Sequence, residues 1–332
     1  MSMDSDVPIA LAGVFGALSV ALMLLRLTMR TRQGQSLLLS DYLTIVCIGL
    51  IMARTAFITV ILAWGNSDLE ESVTAMSSTE IYRRRIGSKL TLVNRVVYNI
   101  YLWLQKSVVL LLCQRILCGL RWPERIIKVC WAFLVASFVA VQVTTFTDCS
   151  PLRLYWQVMP PPGPCIDGHA QLLTLIAMNI TTDTMLMLLP MPWLLRLKTS
   201  RTRRCQLVGL FSIGLLLIAV AIIRLPYFID NTDQVYRHTW GSVEAFLSAL
   251  AANIPTLFTL RQRRKKDYPP YYSSSPGGHE GRRGVTRSPT SGEGILVTSI
   301  VQLEFMGFNA QKSPISNGFV RQDSDAWVVC DK

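Results

Sequence analysis

Seven times along this chain a stretch of twenty or more mostly apolar residues recurs, separated by short polar segments that carry arginine and lysine. A helix needs about 20 such residues to cross the hydrocarbon core of a bilayer. The spacing predicts spans over 7–29, 41–64, 91–118, 126–147, 169–195, 205–229 and 238–260. The fold class expected is therefore all-α: a seven-helix membrane bundle over residues 1–266, followed by a disordered cytosolic tail over 267–332. Only 16% of the residues are charged, against roughly a quarter in soluble domains. The first stretch is preceded by Asp4 and Asp6 rather than by basic residues, so it reads as a retained span and not as a cleaved signal peptide.

The 33 basic residues exceed the 21 acidic ones, giving a net charge of +12. That surplus lies in short loops between apolar stretches rather than on one continuous face, which argues for membrane topology and against nucleic acid. Arg30 and Arg32 occupy one loop, and Arg115, Arg121, Arg125 and Lys128 the next on that side. Arg196, Lys198, Arg201, Arg203 and Arg204 follow, and RQRRKK closes the last span at 261–266. The alternate loops are poorer: 65–90 balances its charges, 148–168 has only Arg153, and 230–237 only Arg237. The positive-inside rule then places the N-terminus outside, or in a lumen, and the C-terminus in the cytosol. Which membrane holds the chain is not encoded in these counts.

Residues 267–332 are rich in Pro, Gly and Ser and lack apolar periodicity, the composition of a solvated chain. A docking segment for a cytosolic partner around Ser288 and Pro289 is the functional alternative. The eight cysteines are too sparse for a disulfide scaffold. Cys149 and Cys165 are the two that fall on the outer side, where thiols oxidise. Bridging them would close a loop stiffened by Pro160, Pro161, Pro162 and Pro164 and contribute about 3 kcal/mol by the chain-entropy model. Two free thiols in an open loop is the other reading. The sequon Asn179-Ile180-Thr181 lies within a span, beyond the reach of glycosylation.

Five ionisable side chains stand out at membrane depth: Arg54, Lys106, Asp183, Arg224 and Glu244. Each costs roughly 2.5–3.5 kcal/mol to insert, so they should face one another or a wet cavity. Counting residues along each span sets Arg54, Lys106 and Asp183 near the midplane, with Arg224, Glu244 and Arg95 in the outer half. Lys106 with Asp183 and Arg224 with Glu244 are the expected pairs, and Asn179 lies one turn outward of Asp183. Basic groups outnumber acids in this set. Two readings follow: ion pairs that fix helix packing, or a pocket in which Lys106, Asn179, Asp183, Arg224 and Glu244 bind an anionic ligand.

No metal centre is suggested, because His169, His238 and His279 are scattered and lack ligand spacing. No Gly-rich phosphate loop and no Ser/His/Asp set stands out. Were the chain a membrane-embedded enzyme, Asp183 or Glu244 would serve as general acid. A transporter would show inverted repeats or paired broken helices, and neither is visible.

Taken in order, the polar landmarks resemble the fungal rhodopsin-like domain family of seven-helix membrane proteins, the satratoxin-cluster membrane protein type. The pieces are SDYL at 40–43; Tyr98, Lys106 and Arg115; CSPLRLYW with GPCID; Asn179, Asp183 and Pro190; Arg224; and Trp240, Glu244 and Pro255. Departures are Ser40 before a single Asp41, Val108 where the family has serine, and WGNSD after the second span. The resemblance covers about 30–260 and implies a membrane protein of receptor or sensor type, with small lipophilic or anionic ligands. It also implies association with secondary-metabolite gene clusters, in which an enzyme (a cyclase or isomerase) or an exporter of the product is the alternative. Retinal is not expected. A retinal Schiff base needs a lysine in the seventh span, and residues 238–260 contain none.

Overall fold

The computed structural model describes residues 3–64, 77–117, 123–157, 168–191, 209, 211–223 and 234–267. These residues form seven α-helices with no strand among them: α1 Met3–Arg32, α2 Leu39–Trp64, α3 Ser78–Leu117, α4 Pro123–Thr147, α5 His169–Leu188, α6 Phe211–Ile223 and α7 Gln234–Asp267. Six of them, all but the short α6, are long and apolar enough to cross a membrane. The chain is thus a multi-pass helical membrane protein. The expected sixth span, 205–229, is described only over part of its length.

One helix boundary differs from expectation. α3 begins at Ser78 rather than near 91 and runs for 40 residues. At 1.5 Å per residue it is about 60 Å long, twice a hydrocarbon core of about 30 Å. The stretch STEIYRRRIGSKL contains no proline, and an Arg84–Glu80 pair at 3.4 Å spans one of its turns, so the helix continues past the apolar zone. Residues 192–195 of the expected fifth span lie outside the described residues, and α5 runs to Leu188. Pro190 stands just beyond, and a proline there lacks the N–H that the next helical bond requires.

Named contacts fix the packing. Phe15 meets Phe246, and Gln33 Nε2 donates to the Leu260 carbonyl, so α1 and α7 run parallel. Trp103 Nε1 donates to the Leu134 carbonyl and to Ser137 Oγ, while Asn99 reaches Thr145; α3 and α4 are therefore antiparallel. α3 is the central post, with α2, α4, α5 and α7 packed against it.

Large apolar side chains lie on the outside as well as in the core. On α4, Ser137, Val141 and Thr145 are buried, whereas Val135, Val139, Val143 and Phe146 are exposed at spacings of three and four. Side chains three and four apart share a helix face, so an all-apolar stripe faces outward, while the inward stripe mixes Ser137 and Thr145 with Leu134 and Val141, as suits a lipid-facing helix.

Candidate functional site

The helical period brings three α5 groups to one lysine. Asn179, Thr182 and Asp183 lie three and four positions apart and therefore on one face. Lys106 of α3 meets all three: Nζ is 2.9 Å from Asp183 Oδ1, and it donates to Thr182 Oγ1 at 2.6 Å and to the Asn179 carbonyl at 3.1 Å. An ammonium has three donors, and each finds an acceptor here. The Trp103 ring adds a cation–π contact at 5.5 Å. A small cavity adjoins the pair, with Gln105 and Ser248 on its wall beside the apolar Val109, Leu186 and Leu217. The pairing expected of Lys106 and Asp183 is present.

One turn along, Asn179 continues the network. Its Nδ2 donates to Glu244 Oε1 of α7, and Tyr98 Oη of α3 donates to Glu244 Oε2, both at 2.5 Å. Asn179 thus touches Glu244 through its side chain and Lys106 through its backbone. Four of the five expected site residues, Lys106, Asn179, Asp183 and Glu244, form one continuous cluster between α3, α5 and α7. The fifth, Arg224, lies outside the described residues, as does its expected pairing with Glu244.

Beyond Tyr98 a second cavity opens toward the end of the bundle from which α3, α5 and α7 start. Arg54, Arg95 and Arg237 line it, with His238, Asn94 and Gln171. No acidic side chain is among its described lining residues. Arg54 Cζ lies over the Tyr98 ring, 4.8 Å from its centroid, and Nη1 donates to Ser242 Oγ at 3.3 Å. A Cβ at Gly241 would come within 3.0 Å of Arg54 Nη2, so a residue without a side chain there lets the guanidinium settle against α7. The Arg54 guanidinium therefore lies beside Ser242 and Tyr98, apart from the acceptors that hold Lys106.

Arg95 forms the cavity's outer edge under the turn that follows α4. Tyr155, in a 3₁₀ helix over Leu152–Trp156, stacks on Arg95 at 5.9 Å and donates from Oη to the Thr145 carbonyl. Burial pushes the Tyr155 phenol above its usual pKa. Gly168, just before α5, has φ +67°, a left-handed conformation that glycine adopts without strain. A Cβ there would meet Arg95 Nη1 at 2.8 Å. Cys149 is buried at the start of this turn and is not among the free thiols Cys47, Cys113 and Cys130. Cys165 lies outside the described residues.

A further charged cluster at the opposite end escaped the sequence reading. Asp41, fully buried at the start of α2, accepts from Arg26 Nη2 at 3.2 Å and pairs with Arg30 Nη1 at 2.9 Å. Arg26 also donates to Ser40 Oγ, to the Ala252 carbonyl and to Asn253 Oδ1. One guanidinium thereby ties α1 to α2 and α7. Arg26 lies inside the first predicted span, and that position at membrane depth was the available signal.

The model of the fungal rhodopsin domain matches residues 25–263, which is more than two thirds of the chain. The chain belongs to the fungal rhodopsin domain family. No curated protein and no solved structure matches it. The matched segment of the fungal rhodopsin domain opens one residue before Arg26 and contains every residue of the three clusters described above. SDYL places Asp41 at the α1–α2–α7 junction, and CSPLRLYW supplies the turn over Arg95.

Proposed function

We propose that this fungal rhodopsin domain is a receptor- or sensor-like membrane protein that takes a small anionic ligand into the cavity lined by Arg54, Arg95 and Arg237. The observation that carries the reading is that cavity's lining: three guanidinium groups converge on it, with the carboxylates of Glu244 and Asp148 set behind Tyr98 and Gly168. Guanidinium is the side chain best suited to bidentate capture of a carboxylate. Loop charges support an outward-facing mouth, since the basic loops lie at the other end of the bundle. On this orientation the N-terminus is outside and the C-terminus cytosolic. A Cys149–Cys165 bridge then closes the turn beside the mouth, and the basic loops and tail meet a cytosolic partner. From Tyr98, the cluster of Glu244, Asn179, Lys106 and Asp183 leads inward from the cavity, so ligand contact at Arg54 or Tyr98 bears on packing deep in the bundle.

Retinal has no part in this reading. Residues 238–260 lack a lysine, and the Lys106 ammonium is held by Asp183, Thr182 and Asn179. Association with a secondary-metabolite gene cluster belongs to the proposal on family resemblance, and adjacent synthase and oxidase genes would support it. The direct test is thermal unfolding of the full chain in nanodiscs with added acetate or succinate. Carboxylate raises the midpoint in the native protein and fails to do so in Arg95→Gln. An unchanged midpoint in the native protein, or an equal rise in the variant, removes the reading.

A further inference from the structure

The cavity's charged groups account for an anion but leave two of its polar walls unexplained. Gln171 and Asn94 both line it, and both are almost fully buried, at 1% and 5% exposure. Their carbonyl oxygens, Gln171 Oε1 and Asn94 Oδ1, have no hydrogen-bond donor. A buried acceptor left without a donor is costly, and native structures rarely keep one without a reason. Here two such acceptors occur in one small cavity, beside three guanidinium groups that can only donate.

We infer that the ligand of this cavity is a hydroxycarboxylate: an acid that also presents hydroxyl donors to Gln171 Oε1 and Asn94 Oδ1. The inference rests on the anion-binding reading above and specifies it. A simple carboxylate would satisfy the arginines and leave both carbonyl oxygens orphaned. An amino acid would bring a donor too, but as a further cation in a cavity that already holds three guanidinium groups. A neutral hydroxyl supplies the donor without adding charge. A site that hydrogen-bonds a ligand hydroxyl discriminates strongly against the analogue lacking it, because the site's own polar groups are then left unpaired.

The experiment compares matched probes on the full chain in nanodiscs by calorimetry: glycolate against acetate, malate against succinate, and glycine as the ammonium analogue of glycolate. The expected result is that each hydroxy acid binds about tenfold or more tightly than its partner, with glycine weaker than glycolate. In Gln171→Met and Asn94→Leu the preference should fall toward unity while acetate and succinate still bind. Equal binding of hydroxy and deoxy acids would overturn the inference and leave the anion cavity standing. Absence of binding by any of the acids would remove both. A hydroxyl preference that survives both variants, or a preference for glycine, would overturn the assignment to these two carbonyls. Should a variant fail to fold, the two ratios in the native protein still decide.

Discussion

The backbone carbonyl of Asn179 accepts from Lys106 while the side-chain amide of the same residue donates to Glu244. A single α5 residue therefore joins the cation held by Asp183 to the carboxylate held by Tyr98. Neither charge is left to face lipid, where it would be expensive. The arrangement also makes the two halves of the cluster dependent on the position of one helix.

Asp183→Asn should destabilise the folded chain by about 3–5 kcal/mol, the range found when one partner of a buried pair is removed. Lys106→Met should be similarly damaging, and the double variant should lose less than the sum of the two. Denaturation of the purified protein in detergent, read by circular dichroism, gives all three values. Strict additivity would mean that the two groups do not interact.

At the opposite end, Asp41→Asn removes the carboxylate shared by Arg26 and Arg30 and should be among the most destabilising polar substitutions. Arg26→Met should cost more than Arg30→Met. Arg26 alone also holds the Ala252 carbonyl and Asn253, so its loss frees α7 as well as α2. Protease susceptibility near the end of α7 should rise in Arg26→Met and stay near native in Arg30→Met.

Gly168→Ala should lower stability by about 1–2 kcal/mol, the cost of a left-handed backbone for a residue with a Cβ. The same methyl would press on Arg95, so the carboxylate binding proposed for the arginine-lined cavity should weaken with it. A variant that loses stability yet binds carboxylate as the native chain does would show that Arg95 accommodates the displacement.

Non-reducing peptide mapping should recover Cys149 linked to Cys165. Alkylation of both thiols in unreduced protein would rule the bridge out.

A reporter fused after residue 200 should lie in the cytosol, and one placed between residues 65 and 76 on the far side. Detection of the first outside the membrane would reverse the topology and turn the arginine-lined cavity inward.

Helical class, six of the seven expected spans and the burial of Arg54, Lys106 and Glu244 were legible in the sequence, because hydropathy in a bilayer is a local property. An apolar run of sufficient length has to satisfy its backbone hydrogen bonds internally, whatever its neighbours are. The partnership of Lys106 with Asp183 was legible for a related reason, since two opposite charges at equal depth have few alternatives. The N-terminal boundary of α3 was not, because beyond the apolar zone nothing in the residues forces a helix to stop. The same limit applied to Arg26 and to the orphaned carbonyls of Asn94 and Gln171. Arginine near a span end can snorkel to the interface, and an amide can turn to any nearby donor. Only the crossing of α1, α2 and α7 makes Arg26 a buried tie. Only the meeting of α2, α3, α5 and α7 places three arginines and two unpaired acceptors around one cavity, because side-chain partners across helices depend on rotation and register that no single helix encodes.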